Sequence, residues 1–306
     1  MPRLIQTVAV VAAVFGSTAG MACTIFYAYD GKVAMGGNNE DWKDPQTFMW
    51  FKPGGEGEYG RVIFGFANAW PQGGVNEKGL FFDAAATGSL PLKKNAGKPR
   101  APHDILDKLL RECATVDEAV ALFERYSMPF MERAIFLFGD RQGNSAIYEG
   151  DEIIRGNGRY QILTNYHQSR QTAKEARCGR MQTAQKIFSK RFGKDEPLTV
   201  DLMKAVLEAV HQEGKYGTKY SSVYDLTHGD VYLYCNHDFD VVVKFNITQE
   251  LAKGARKVSL PSWFVAGKPM DLTRTGRDST AKTPAESEPK DTPPRDAKNR
   301  EDGDND

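Results

Sequence analysis

The 306-residue chain has no excess of either charge, because forty Lys and Arg stand against forty Asp and Glu. That balance removes the electrostatic reason to expect nucleic acid or an anionic membrane surface as a partner. Cysteine is scarce, four residues in all, and Cys23, Cys113, Cys178 and Cys235 fall at no metal-ligand spacing. His103, His167, His211, His228 and His237 show no paired ligand spacing either. No Gly-rich phosphate loop or dinucleotide fingerprint follows a strand, so neither metal nor cofactor is implied. Beyond the first residues no apolar run approaches the roughly 20 residues of a membrane span, which excludes an integral membrane span.

What is present is ordinary for a folded globular chain. Hydrophobic residues make up 41% and aromatics 11%, enough at this length to bury a sizeable core without disulfide staples. Four cysteines in an oxidising compartment could form two bridges. Their wide separation instead favours buried thiols, or one incidental bridge, for Cys113, Cys178 and Cys235.

The first residues differ from the rest. Arg3 precedes a mostly apolar stretch from Leu4 to Phe15, and small residues follow, with Gly20 and Ala22 at the −3 and −1 positions of a cleavage site. This is the layout of a secretory signal peptide over residues 1–22, and the apolar run is too short for a comfortable uncleaved anchor. Export to a periplasm or the exterior is therefore expected. From about Lys268 the composition turns to Pro, Thr, Asp, Glu, Lys and Arg. Such a segment cannot offset its ordering entropy by burial, so residues 268–306 are expected to be a disordered polar tail without chemistry. A single domain over residues 23–267 remains.

Periodicity orders that domain. Cys23 to Tyr29 is rich in β-formers, and Asp30-Gly31 turns it into a second strand over Lys32 to Gly36. Further strands are expected at Phe48–Phe51, Arg61–Ala67 and Gly79–Ala84. Asp104 to Tyr126 switches to helical spacing, interrupted at Ala114-Thr115 with Thr115 as a cap. Strands resume at Ala134–Phe138, Ser145–Tyr148 and Tyr160–Thr164. Helices over Gly179–Arg191 and Thr199–Gln212 precede strands at Tyr220–Leu226, Asp230–Tyr234 and Val241–Phe245. Runs of strands alternating with runs of helices indicate a layered α+β architecture.

Cleavage after Ala22 would make Cys23 N-terminal. A thiol nucleophile works as its thiolate and needs a nearby base. A free α-amino group titrates near pH 7.7–8, so an N-terminal cysteine holds nucleophile and proton acceptor in one residue. A lipid anchor is a competing reading, although Gly20 stands where a lipobox usually has Leu. A small buried thiol is another. His167, two residues after Asn165, offers a third, an internal Cys/His pair.

Cys23-Thr24-Ile25-Phe26, followed by Gly37-Asn38-Asn39-Glu40-Asp41-Trp42, resembles the opening of the choloylglycine hydrolase and penicillin V acylase family, together with acyl-coenzyme A:6-aminopenicillanic acid acyltransferase-like proteins. Val75-Asn76-Glu77-Lys78-Gly79-Leu80, Ile162-Leu163-Thr164-Asn165 and Tyr220-Ser221-Ser222-Val223-Tyr224-Asp225 continue the resemblance in order, to about Phe245. It implies an N-terminal-nucleophile hydrolase with a four-layer αββα fold, two antiparallel sheets stacked between helices. The implied reaction is cleavage of a linear amide C–N bond in a small-molecule substrate through a thioester. The alternatives are an acyltransferase using the same acyl-enzyme, or an inactive exported lipoprotein or binding protein. Relatives are often homo-oligomers.

By the same resemblance Cys23 matches the nucleophile and Asp41 the aspartate that holds its ammonium or thiol. Asn165 matches the side-chain donor of the oxyanion hole, and Arg180 the arginine near the site. Asn76 reads as structural. Two positions depart from the pattern. Asn38 stands where many relatives carry an arginine close to the thiol, and asparagine cannot lower a thiol pKa by charge. Ala86 stands where bile salt hydrolases carry an oxyanion-hole asparagine, leaving only its backbone N–H as a donor. Both departures argue against bile salts more than against amide chemistry. Trp42, Trp50 and Trp70 are candidates for a pocket wall, or for the core.

Overall fold

The computed structural model describes residues 23–93, 97–193 and 195–264. The expected signal peptide over 1–22 and the tail over 268–306 lie outside the described residues. In chain order the elements are β1 (Thr24–Tyr29), β2 (Ala34–Asp41), β3 (Thr47–Lys52), β4 (Arg61–Phe66), β5 (Pro71–Asn76) and β6 (Phe81–Ala86). Then come α1 (Ile105–Glu112), α2 (Val116–Glu124), β7 (Ala134–Gly139), β8 (Ser145–Tyr148), β9 (Ile153–Arg155), β10 (Tyr160–Leu163), α3 (Gly179–Arg191) and α4 (Val200–Val210). β11 (Thr218–Asp225), β12 (Asp230–Cys235), β13 (Asp238–Asn246), α5 (Ile247–Leu251) and β14 (Arg256–Ser259) complete the set. No helix among the described residues is long and apolar enough to cross a membrane.

Two sheets result, a six-stranded one ordered β10-β1-β2-β11-β12-β13 and an eight-stranded one ordered β14-β3-β4-β5-β6-β7-β8-β9. Neighbouring strands are antiparallel throughout. Alternate side chains of each strand point to opposite faces, and three separate cores follow from that. Ile25 and Tyr27 of β1 meet Phe64, Phe81 and Leu137 of the other sheet in a core between the sheets. Phe26 and Ala28, from the opposite face of β1, pack on Met181 and Phe188 of α3 and Val206 and Leu207 of α4. Phe82, Phe136 and Phe138 pack on Leu109, Leu110, Val116 and Phe123 of α1 and α2. Helices, sheet, sheet, helices: the layers are αββα, as expected.

Local chemistry fixes the elements that carry the site. The β1–β2 turn forms where Asp30 Oδ1 accepts from the backbone N–H of Lys32 and Val33 (2.8 and 2.7 Å) and Gly31 adopts φ 97°. Thr115 caps α2 in a reciprocal capping box with Glu118, as its position in sequence indicates. β2 runs on through Asp41, five residues beyond the expected Gly36, because its polar end is paired on both sides by β1 and β11. β5, β9, α5 and β14 are not foreshadowed. β5 carries Pro71, Gly73 and Gly74, poor strand formers. Its glycines are required by space: a Cβ on Gly73 would lie 2.1 Å from Asp83 Oδ2 and one on Gly74 2.7 Å from Leu110 Cδ1.

Candidate active site

Register sets the centre of the site. Thr24 lies opposite Asn39 in the β1–β2 pairing, so Cys23 lies opposite Glu40, and both side chains point between the sheets. The Cys23 thiol donates to Glu40 Oε1 at 3.8 Å. Glu40 Oε2 accepts from Asn38 Nδ2 at 3.4 Å. Burial drives the Cys23 thiol well above the ordinary thiol pKa, and the carboxylates of Glu40 and Asp41 push it further. A hydrogen bond from the Asp41 backbone N–H pulls the other way. Burial likewise raises Glu40 to about 8, against the Asn38 hydrogen bond that favours its ionised form.

Asp41 points to the other face of β2. Its Oδ1 accepts from Thr218 Oγ1 at 2.5 Å, while its buried Oδ2 has no partner. Burial raises Asp41 to about 7, against the Thr218 hydrogen bond and the charges of Arg180, His211 and Lys219. Asn38 is fully buried with its Oδ1 unpartnered.

A hydrogen-bonded chain joins Cys23 to the far sheet. Arg180, in the first turn of α3, donates through Nη1 to the carbonyl oxygen of Cys23 (2.5 Å) and to Thr24 Oγ1 (2.7 Å). Its Nη2 donates to Asn165 Oδ1 at 2.9 Å. Asn165 Nδ2 donates in turn to the Ala86 carbonyl at 2.8 Å, from just beyond the end of β10 to the end of β6. Thr87 N–H is taken by Arg133 O at 2.9 Å. Strand alternation therefore turns the N–H and C=O of Ala86 toward Asn165 rather than toward β7. Arg180, Asn165 and Ala86 are half-buried, and they form the solvent-facing side of an otherwise buried centre.

The structure thus brings Cys23, Asp41, Asn165, Arg180 and Ala86 to one place, with Asn38 at its buried end. The His167 ring instead lies 3.8 Å from Glu149 Oε2, which gives the Cys/His alternative no geometric support. Cys113 and Cys235 are buried free thiols, and Cys178 is a half-buried one beside Thr164 Oγ1 at 3.3 Å. Asn76 is structural. Its Nδ2 bonds the carbonyls of Leu110 and Cys113 (both 2.7 Å), and its Oδ1 accepts from the N–H of Lys78 and Leu80. Trp50 and Trp70 pack at the margin of the core under α1 and α2, whereas Trp42, next to Asp41, lies half-buried against Phe66 at 5.5 Å.

Sequence reasoning missed Glu40, together with the polar groups behind it. Asp83 of β6 is fully buried with Oδ2 unpartnered. Burial and the charge of Glu40 hold Asp83 well above the usual carboxyl range. Tyr220 and Tyr224 of β11 are fully buried, their hydroxyls without partners. The available signal was alternation: once β2 is extended through Asp41, Asn38 and Glu40 fall on the face of Gly36, toward the opposite sheet.

No family model matches the chain, and no curated protein matches its sequence. Solved structures do match. Penicillin V acylase from Agrobacterium tumefaciens superposes with TM-score 0.59 at 19% identity, covering 78% of this chain and 91% of that one. A cysteine-to-alanine mutant of conjugated bile acid hydrolase from Clostridium perfringens gives TM-score 0.60 at 14% identity, covering 78% and 96%. A Caenorhabditis elegans ortholog of N-acylethanolamine-hydrolyzing acid amidase gives 0.51 at 17%, covering 67% and 93%. These likenesses establish the fold, two stacked antiparallel sheets between helix layers, which is the αββα architecture that the ordered sequence segments imply.

Proposed function

We propose that this chain is an exported amidase that cleaves a linear amide C–N bond in a small molecule through a thioester on Cys23. The observation that carries this reading is the convergence on Cys23 of Arg180, Asn165 and Ala86 through consecutive hydrogen bonds. The names of the structural neighbours, an acylase, a conjugated bile acid hydrolase and an amidase, support amide chemistry on this fold.

Removal of residues 1–22 would free the α-amine of Cys23, which titrates near pH 7.7–8 in isolation. Asp41 Oδ2, buried and without a donor, suits the resulting ammonium. Cys23 Sγ attacks the amide carbonyl, and the C=O electrons move to oxygen. Asn165 Nδ2 has two N–H groups, one directed at the Ala86 carbonyl. The second, with the Ala86 N–H, stabilises the oxyanion. Arg180 fixes the scaffold by binding the Cys23 carbonyl and the Asn165 amide oxygen, which turns the amide's donor end to the cleft. Collapse breaks C–N, releases the amine and leaves the thioester, which water then hydrolyses.

The test is a glycine inserted before Cys23 in the mature protein, assayed on p-nitroanilides of phenoxyacetic, phenylacetic, bile, fatty and amino acids. Turnover by the parent protein and none by the extended one is the expected result. Equal turnover by both would contradict the terminal-amine mechanism.

A further inference from the structure

We infer that Glu40 takes the proton of the Cys23 thiol, a role that rests on Cys23 being the nucleophile. The geometry is specific. Glu40 Oε1 accepts from Sγ at 3.8 Å, Glu40 Oε2 is held by Asn38 Nδ2, and the carboxyl is sealed between the sheets. The titratable groups facing this corner are Cys23 just before β1, Asp83 from β6, and Tyr220 and Tyr224 from β11, with Asp41 next along β2 and Arg180 on the Cys23 carbonyl.

An acidic neighbour does the opposite of what an arginine beside the thiol would do. A carboxylate next to sulfur disfavours a free-standing thiolate, so Cys23 is not ionised in advance and must lose its proton as it attacks. Glu40 is the acceptor in contact with it. Burial lifts Glu40 to about 8, so its ionised, proton-accepting form is the minor one at pH 7 and grows as the pH rises toward 8, close to the working range of a general base. Burial and then the charge of Glu40 push the Asp83 carboxyl well above its usual range, which favours a neutral Asp83 beside an ionised Glu40.

The proton account closes. At rest the reactive form of the site, the minority one below about pH 8, holds a thiol, ionised Glu40 and the α-ammonium. Sγ bonds to the carbonyl carbon as its proton passes to Glu40. The C–N bond breaks as the α-ammonium protonates the leaving nitrogen, and the acyl-enzyme then holds neutral Glu40 and a neutral α-amine. The amine removes a proton from the attacking water. The C–S bond breaks as Glu40 returns its proton to sulfur, which restores the resting state. The buried carboxyl is neutral in the acyl-enzyme, the state its surroundings favour.

The experiment compares mature wild type, Glu40→Gln, Glu40→Asp and Cys23→Ala, each checked for a cooperative thermal melt. Two readouts are followed: p-nitroanilide turnover, and alkylation of Cys23 by iodoacetamide, both from about pH 6 to 10. For Glu40→Gln, turnover should fall about 10²-fold or more and lose its limb near the Glu40 ionisation. Its alkylation should hold or quicken, and shift to lower pH, because a suppressing charge is gone. Glu40→Asp should keep more turnover than Glu40→Gln. Turnover within about threefold of wild type, or turnover and alkylation falling together, would overturn the role of Glu40. If no anilide is cleaved, alkylation decides: superimposable pH profiles for wild type and Glu40→Gln overturn it. Activity that survives in Cys23→Ala would instead contradict Cys23 as the nucleophile.

Discussion

Replacing Asn76 with alanine should destabilise the domain heavily while touching none of the reacting groups. Helix α1 ends at Glu112, and the Leu110 carbonyl would normally accept from the N–H of Ala114. That N–H is bound by Glu118 Oε2 at 2.6 Å instead. Asn76 Nδ2 fills the vacancy and also binds the Cys113 carbonyl, both at 2.7 Å. Its Oδ1 takes the N–H of buried Leu80 at 3.0 Å, closing the turn between β5 and β6. The substitution therefore strands three buried groups. At about 1–3 kcal/mol for each unsatisfied group, and with some relaxation, a loss of about 3–5 kcal/mol follows. For a domain of this size that is a fall in Tm on the order of 10 °C. Urea and thermal melts of Asn76→Ala measure it, alongside the alkylation rate of Cys23 in the folded protein, which should stay near that of wild type. A Tm within about 2 °C of wild type would refute the structural assignment.

Further outcomes are expected elsewhere. Asn165→Ala should lower kcat by about 10²–10³ with little change in KM, read by steady-state kinetics, because an oxyanion donor is removed. Gly37→Ala should cost about 1–3 kcal/mol in urea melts, since its Cβ would lie 2.6 Å from the ring of Phe26 on the nucleophile's strand. Burial alone would raise the Asp107 carboxyl, but hydrogen bonds and charge from Arg61 and Lys52 outweigh it and hold the carboxyl below its ordinary value of 3.8. A depressed folded-state pKa gives stability that is present above 3.8 and lost as pH falls through the lower value. Asp107→Asn should therefore lose about 3 kcal/mol at neutral pH and show a flatter acid limb in melts run down to about pH 2.

Much of the scaffold was legible because local chemistry and tertiary packing agree. The Asp30-Gly31 turn, the Thr115 cap and the helical spacing of α3 each carry their own signal, and each element forms where that signal puts it. β5 was hidden because its sequence serves a steric need: Gly73 and Gly74 make room for Asp83 and Leu110, and strand propensity is given up to do so. The residues expected at the site do come together, yet their partners were not readable. That Arg180 grips the Cys23 carbonyl and Asn165 depends on where α3 lies against β1, a contact spanning 157 positions. Glu40 was concealed by the early end expected for β2. A strand polar on both faces reads as a loop unless the neighbours that satisfy it, such as Leu207 O for Asn39, are known.

The central claim, a thioester on an N-terminal Cys23, is tested most directly by the intact mass of the exported protein before and after exposure to the acyl-amide panel. The account predicts a chain that begins at Cys23, gains the mass of one acyl group, and gains nothing in Cys23→Ala. A chain that begins elsewhere, a lipid on Cys23, or an acyl group that persists in Cys23→Ala would contradict it.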